Sequence, residues 1–272
     1  MRSVAISLLL LIVVPYAVAA TAYLEARRRH EPPPVWARRV GAAAVLLHLA
    51  GLMLLGRETG RSPFHTESQA LSFLAFSLAA VYAVLEATSR IAAHGGGFWT
   101  LAAVLAGASV RGLASEACTV SATAPDHVMA YHMGFALLGT AALFAGGLLG
   151  AGYLQAYRRM KRDVLAVTAE EGPSLVGLER LARDASLASL ALLGPSPLLG
   201  MKIAARDDLS GKWVALELGF SAAQFGLALM AFLVWWRAPR RGPFAATLNI
   251  LATIVAIVGF TLIHPLLAKA GG

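Results

Sequence analysis

The chain has 272 residues, 58% of them hydrophobic and 14% charged, with a mean hydropathy of +0.67. Ordinary soluble domains carry about a quarter charged residues, so this composition excludes a water-soluble globular protein. The net charge of +8 is divided among short basic clusters between apolar stretches, which argues against a nucleic-acid-binding surface. The single cysteine, Cys118, excludes an intrachain disulfide and a dithiol oxidoreductase.

Apolar stretches long enough to cross a bilayer recur along the whole sequence. A hydrocarbon core about 30 Å thick requires roughly 20 apolar residues per helix. We therefore predict an all-α polytopic membrane helix bundle of about eight transmembrane helices, organised as a single transmembrane domain over residues 1–272. The predicted spans are 3–24, 40–56, 68–89, 97–114, 127–154, 186–204, 213–236 and 244–267.

The first span shares one feature with a secretory signal peptide, the small-residue sequence Ala-Val-Ala at 17–19. Its basic cluster at 27–29 follows the apolar run instead of preceding it, and the run is longer than a signal peptide requires. Both features favour a retained membrane anchor over a cleaved peptide.

Basic residues predict the orientation, because Lys and Arg are enriched in cytoplasmic loops of membrane proteins. Four alternate connections, 25–40, 90–96, 155–185 and 237–243, hold 15 Lys and Arg residues, whereas the opposite segments hold 6. The first set is predicted to be cytoplasmic. Both the N-terminus and the C-terminus are therefore predicted to lie outside.

Two of the predicted connections have a distinctive composition. The longest, 155–185, contains Gly172-Pro173, which should interrupt a helix. Beyond it, apolar residues between 175 and 182 recur at helical spacing, which predicts either a short amphipathic helix on the cytoplasmic surface or a solvated connector. The sequence Glu-Pro-Pro-Pro at 31–34 predicts a stiff extended connector, because proline fixes φ and lacks an N–H donor.

Histidines supply the main candidates for chemistry, since ionisable groups inside a membrane are costly and often functional. His48 lies in the middle of the second span, whereas His127 and His264 lie at similar depth on the predicted outer side. Two neutral imidazoles facing one cavity would form a bis-axial site for haem iron. The alternative is a pair of interfacial histidines bonded to water and headgroups. His132 is five residues from His127, about 140° around a helix, so both are not expected to face one cavity.

The sequence leaves two possible roles open for each of His48 and Arg111. His48 is either an additional haem ligand or a helix-to-helix hydrogen-bond donor. Arg111 either pairs with a haem propionate or extends its guanidinium to the outer interface. An enzyme is not predicted, because no acid–base pair, nucleophile arrangement or metal motif of usual spacing occurs.

Tryptophan and glycine positions predict architecture. Trp99, Trp213, Trp235 and Trp236 lie near predicted span ends, as expected of an interfacial aromatic belt. Glycines between 146 and 152 include pairs four residues apart, which predicts close helix contact.

The segments that carry the histidines resemble a known family. The string HVMAYHMGFALLGTAALFAGGLLGAGYL, which begins at His127, resembles a helix of the cytochrome c assembly protein family (CcsA, CcmC and HemX) that opens with a His-Val pair. IVAIVGFTLIHPLL resembles that family's final helix, which also carries a histidine near its outer end. Three more segments, VLLHLAGLMLLGR, SPFHTESQALSFLAF and PSLVGLERL, resemble the HemX-like or YpjD-like branch, so the resemblance covers residues 40–267.

This resemblance implies that His127 and His264 are the outer-side histidine pair and that the cofactor is b-type haem. Haem-handling CcsA and CcmC proteins also carry a tryptophan-rich WWD segment between these histidines, whereas the corresponding loop here reads AARDDLSGKW. The resemblance therefore implies an accessory or regulatory role in haem handling or cytochrome c assembly.

The implied location is the bacterial cytoplasmic (inner) membrane. The implied partners are membrane lipid and proteins of cytochrome c assembly or tetrapyrrole synthesis, with no nucleic acid. Two alternatives come from other classes of protein. The first is a small-molecule membrane transporter, because intramembrane polar residues can line a substrate path. The second is a regulatory membrane subunit without a ligand.

Overall fold

The computed structural model describes residues 4–29, 31–60, 66–89, 91, 94–116, 127–162, 174–206, 211–237 and 242–259. Throughout these ranges the regular structure is helical and no strand occurs, which confirms the all-α prediction. Within them, six helical segments are long and apolar enough to cross a membrane. Two shorter apolar helices cover Gly95–Val110 and Gly242–Val258.

The helices are named here in chain order. They are α1 (Val4–Leu11), α2 (Val13–Arg28), α3 (Val35–Thr59), α4 (Glu67–Thr88), α5 (Gly95–Glu116), α6 (His127–Arg162), α7 (Leu175–Leu193), α8 (Pro195–Arg206), α9 (Gly211–Arg237) and α10 (Gly242–Val258). α1 and α2 are joined at Ile12 and together form one candidate span, Val4–Arg28. Every predicted span overlaps one of these helices or a joined pair, and residues 260–267 of the last span lie outside the described ranges.

Local sequence signals mark several helix ends. The side chain of Thr66 accepts a hydrogen bond from Gln69 N at the start of α4, and Ser174 accepts one from Gly177 N at the start of α7. Residues 31–34 have no regular structure and Pro34 is extended (ψ 145°) before α3, which confirms the predicted connector. α3 ends at Thr59 and is followed by Gly60, whose φ of 64° is left-handed and suits glycine.

The predicted connection at 155–185 is longer than the connection between α6 and α7 in the structure. α6 continues to Arg162, and α7 is one continuous helix from Leu175 to Leu193 in which Leu178 and Ala182 are buried. The predicted helix at 175–185 is therefore confirmed and the alternative of a solvated connector is wrong there, but the helix is longer than predicted because it continues to Leu193. Its location on the cytoplasmic surface stays a prediction. Loss of hydropathy marks where a chain leaves the hydrocarbon, but a helix can continue beyond that point because charged side chains reach water while backbone hydrogen bonding persists.

Many large apolar side chains are exposed on the surface of the helices. Leu46 and Met53 are both 67% exposed, and Val104 is 60% exposed. A soluble protein would rarely expose so many such side chains together, whereas a bilayer solvates them. The buried side chains include many alanines, which allow helices to approach closely.

The chain divides into two compact units, Met1–Leu137 and Leu138–Gly272. In the first unit, α5 packs against α2 and α4, and α3 packs against α1, α2 and α4. One buried apolar cluster joins α1, α3 and α5 and consists of Ala5, Ile6, Leu9, Leu52, Leu55 and Leu113. The first helical segment thus contributes to the core of its own unit. A single transmembrane domain over the whole chain stays a prediction.

The second unit contains the close helix contact that its glycines predicted. A Cβ atom added at Gly147 would overlap the side chain of Thr253, and one added at Gly150 would lie 2.9 Å from the carbonyl oxygen of Ala246. Thr253 Oγ1 donates a hydrogen bond to the carbonyl oxygen of Leu143 at 3.0 Å. α6 and α10 are therefore in direct backbone contact, which confirms the predicted role of this glycine segment. α9 packs against both α7 and α10.

Candidate functional site

The structure describes one member of the predicted haem-ligand pair. His127 is the first residue of α6 and its side chain is exposed, while His132 is half-buried further along the same helix. Arg111 lies on α5, but its side chain is outside the described part of the structure, and His264 lies outside it entirely. Coordination by His127 and His264, and pairing of Arg111 with a propionate, therefore stay predictions.

His48 occupies the interior of the first unit and is fully buried. Its ring joins three helices, because Nδ1 lies 3.0 Å from the hydroxyl oxygen of Tyr16 on α2 and Nε2 lies 2.9 Å from Oγ of Ser72 on α4. Both ring nitrogens are thus hydrogen-bonded to hydroxyl groups.

The two hydrogen bonds can be arranged in two ways. A neutral imidazole has one N–H donor and one acceptor nitrogen, so either Tyr16 donates to Nδ1 while Nε2–H donates to Ser72, or both bonds are reversed. In either case His48 would have to break a hydrogen bond before it offered a lone pair to iron. The geometry therefore favours the helix-to-helix hydrogen-bond interpretation of His48 over the additional-ligand interpretation.

Trp99 fills the space next to this hydrogen-bonded group. Its ring centroid lies 5.7 Å from that of Tyr16, 6.4 Å from that of Tyr23 and 5.3 Å from that of Tyr82. A Cβ atom at Gly41 would overlap the indole ring, so glycine is required where α3 passes this side chain. The indole Nε1 is buried and reaches no acceptor among the described residues with hydrogen-bond geometry.

The aromatic-belt prediction is wrong for two of the four tryptophans. Trp99 and Trp235 are 1% and 2% exposed. Trp99 packs against the tyrosine rings described above, and Trp235 packs against the ring of Tyr153 in its own unit. Trp236 is 61% exposed, as expected of a belt residue. Proximity to a span end does not indicate the direction in which a ring faces.

A carboxylate lies at the far end of the same aromatic cluster. The Tyr23 hydroxyl donates a hydrogen bond to Glu86 Oε1 at 2.5 Å, and Arg38 Nε lies 3.4 Å from the same oxygen. The Glu86 side chain is 12% exposed, whereas that of Arg38 is 45% exposed. This end of the cluster therefore reaches the surface of the unit through an ion pair.

The inward stripe of α4 connects the two polar ends. Its positions follow alternating spacings of four and three residues, which places them on one helix face: Ser68, Ser72, Ala75, Ala79, Tyr82 and Glu86. Ser68 and Glu86 are 18 residues apart, which corresponds to about 27 Å of helix. The sequence analysis did not identify Ser72 and Tyr82, because each looks like an ordinary polar residue within a predicted span. The alternating spacing along α4 is the sequence pattern that could have identified them.

The second unit has a smaller buried polar contact between α7 and α10. Asn249 is 1% exposed, and its Oδ1 lies 2.9 Å from Oγ of Ser186, which also approaches the carbonyl oxygen of Ala182 at 2.8 Å. Asn249 Nδ2 and Ser189 Oγ are buried without a hydrogen-bond partner among the described residues. An interhelical role accounts for the bonded atoms.

The described residues contain no group of three or more His, Cys, Asp or Glu side chains that could hold a metal ion. Two histidines suffice for axial ligation of haem, so this observation does not test the predicted haem site.

Comparison with protein-family models and with curated proteins finds no match to this chain.

Proposed function

We propose that the chain is a membrane protein of haem handling or cytochrome c assembly, similar to HemX-like proteins, with an accessory or regulatory role in the bacterial cytoplasmic membrane. In this proposal it crosses the membrane eight times and both termini lie outside. Six long apolar helices and two shorter ones support that number of crossings. The distribution of Lys and Arg supports the orientation.

The observation that carries the proposal is the position of His127 at the start of α6. The resemblance assigns the histidine of this helix to haem, and the His127 side chain is exposed, so its imidazole is accessible to a ligand. His48 differs, because it is fully buried and both of its nitrogens are hydrogen-bonded. We therefore assign His127 and His264 as the axial pair, Arg111 as a partner of a propionate, and His48 as a packing residue.

The charge distribution along α6 supports an outer location for His127. The helix has 36 residues, and its last turns carry four basic residues, Arg158, Arg159, Lys161 and Arg162. These residues belong at the cytoplasmic side by the positive-inside rule. A helix of this length is about 54 Å long, which exceeds the thickness of the hydrocarbon core, so its first residue belongs to the opposite side.

An accessory or regulatory role follows from the missing tryptophan-rich segment. The loop between the two histidines has one tryptophan and four charged residues in AARDDLSGKW before that tryptophan. Such a loop offers little aromatic surface for an exposed haem face. Membrane lipid and proteins of cytochrome c assembly or tetrapyrrole synthesis are the proposed partners.

The test is the pyridine haemochrome and the reduced-minus-oxidised spectrum of the detergent-purified protein, expressed with adequate haem supply. We expect a b-type haem signal in the wild type that His127→Ala and His264→Ala each lose. His132→Ala serves as the matched control because it removes another imidazole from α6, and it should retain the signal. Equal spectra in all four proteins would contradict the ligand assignment, and no haem in the wild type would favour the ligand-free regulatory subunit.

A further inference from the structure

We propose that the second unit binds the headgroup of an anionic phospholipid at the end predicted to be cytoplasmic, where the last turns of α6 and α9 meet. The juxtaposition that supports this site is a column of aromatic rings that joins the two helix ends, with a cation over an aromatic ring on each helix. The site goes beyond the proposed haem handling and does not require haem.

Contacts between aromatic rings bring the end of α6 next to the end of α9. The ring of Trp235 meets that of Tyr153 edge-on with centroids 5.2 Å apart, and Tyr153 stacks on Tyr157 with centroids 6.2 Å apart. Tyr153 and Trp235 are buried, so their contact fixes the two helices against each other. A Cβ atom at Gly242 would overlap the Tyr153 hydroxyl, so α10 begins at the same level.

Two basic side chains lie over aromatic rings at these helix ends. Lys161 Nζ lies 5.0 Å from the ring centroid of Tyr157, which is one helical turn closer to the membrane. The guanidinium carbon of Arg237 lies 5.8 Å from the ring of Trp236. Because helix side chains point towards the N-terminus of their helix, Lys161 directs its charge towards the headgroup layer.

These two cations differ from basic residues that are paired with a carboxylate. Arg29 of the α2–α3 connection, for example, lies 2.8 Å from Glu25, which neutralises part of its charge. Within the described ranges, Lys161 and Arg237 form no ion pair with a carboxylate, and both side chains are exposed. An anion at this surface therefore meets positive charge that no neighbouring carboxylate has neutralised.

The surrounding charge favours an anionic lipid over a zwitterionic one. Four of the last five residues of α6 are basic, and Arg237 ends α9. Glu179 of α7 faces Tyr153, but Arg180 and Arg183 lie close to that carboxylate on the same helix. Clusters of Lys and Arg next to membrane spans attract lipids with a net negative charge, such as phosphatidylglycerol. Phosphatidylethanolamine is neutral overall and gains less from the same cluster.

Exposed apolar side chains on α9 and α10 favour a lipid over an acidic protein segment. Trp236, next to Arg237, is 61% exposed, and Phe244 in the first turn of α10 is 50% exposed. Leu251 follows Phe244 by seven residues, which places both on one face of α10, and it is also exposed. A phospholipid matches both surfaces, because its phosphate binds the cations and its acyl chains cover the apolar helix face.

The test is native mass spectrometry of the detergent-purified full-length protein, incubated with equal amounts of phosphatidylglycerol and phosphatidylethanolamine that have the same acyl chains. We expect the wild type to retain several-fold more phosphatidylglycerol. The double variant Lys161→Gln with Arg237→Gln should lower this ratio by at least about fivefold. Arg29→Gln with Arg57→Gln is the matched control, because it removes two exposed cations elsewhere, and it should leave the ratio unchanged.

Replacement of Tyr157 separates a formed site from the general attraction of a basic surface. Tyr157→Leu removes the ring under Lys161 without changing the charge, whereas Tyr157→Phe keeps an aromatic face. We expect Tyr157→Leu to lower the lipid ratio by about two- to fivefold and Tyr157→Phe to retain it. The proposal is overturned by equal retention of both lipids in the wild type, by an equal loss in the control double variant, or by an unchanged ratio in Tyr157→Leu.

A second measurement locates the lipid beside an exposed ring. In nanodiscs, phosphatidylglycerol with brominated acyl chains should quench the tryptophan fluorescence of the wild type more than brominated phosphatidylcholine does. Trp236→Phe should remove this difference, because Trp236 is the exposed ring beside Arg237. Equal quenching by the two lipids would overturn the proposal. Binding of polyglutamate without any lipid preference would also overturn it, and would assign the surface to an acidic protein.

Discussion

Replacement of His48 by alanine should destabilise the first unit. The imidazole is fully buried and forms hydrogen bonds with Tyr16 and Ser72, so its removal leaves two hydroxyl groups without these partners and opens space beside Phe76, whose ring centroid lies 5.8 Å from that of His48. The loss thus has a hydrogen-bonding part and a packing part.

The two parts have different magnitudes. Hydrogen bonds between membrane helices contribute about 0.6 kcal/mol each on average, so two bonds contribute about 1 kcal/mol. Truncation of a buried ring to a methyl group adds a packing loss of about 1 to 3 kcal/mol, since large-to-small core substitutions leave partly collapsed cavities. We expect the free energy of unfolding to fall by about 2 to 4 kcal/mol in total.

A double-mutant cycle separates the two parts. Unfolding is followed by near-UV circular dichroism during titration of mixed micelles with SDS, for His48→Ala, Ser72→Ala and the double variant. The coupling energy between these positions should be about 0.6 kcal/mol. Ser77→Ala is the matched control, because Ser77 is another buried serine of α4 whose hydroxyl donates to Phe73 O of its own helix. A coupling energy between His48 and Ser72 that is no larger than the one between His48 and Ser77 would refute the assigned hydrogen bond.

Further predictions use the same unfolding measurement. Gly147→Ala should lower the free energy of unfolding by about 1 to 3 kcal/mol, because the added methyl group overlaps Thr253. Gly226→Ala is its control, since among the described residues no atom outside the neighbouring backbone of α9 lies within 4 Å of the added methyl group, and it should be neutral or stabilising by up to about 1 kcal/mol. Gly60→Ala should cost about 1 kcal/mol, because its φ of 64° is left-handed, and an unchanged unfolding curve would contradict that backbone assignment.

The helices could be predicted well from the sequence because each one is determined by the run of apolar residues within it. Runs of apolar residues at 68–89 and 127–154 match α4 and the larger part of α6, since the length of a span is set by the bilayer. Helix ends outside the hydrocarbon were predicted less well. α6 extends eight residues beyond its predicted end at 154, because the basic residues there are solvated while the helix continues.

The interior of the first unit could be predicted only in part. A hydrogen-bonding role for His48 was one of two interpretations, but its partners Tyr16 and Ser72 come from other spans, and contact across spans is not encoded by local spacing. Trp99 shows the same limit in another way. Its position near the start of α5 fits an interfacial residue equally well, and only the packing of α5 against α2 and α4 turns its ring inward.

His48 and His127 illustrate how one residue type serves separable roles in one membrane protein. A buried imidazole whose nitrogens are both hydrogen-bonded contributes stability, whereas an exposed imidazole at the first residue of a helix contributes little packing and is accessible to a ligand. His48→Ala should therefore lower unfolding stability without removing haem from the protein that remains folded, and His127→Ala should remove haem without a comparable loss of unfolding stability in the haem-free protein. If His48→Ala instead removes haem from a fully folded protein, the additional-ligand interpretation is correct, and the hydrogen bonds with Tyr16 and Ser72 are broken when haem binds.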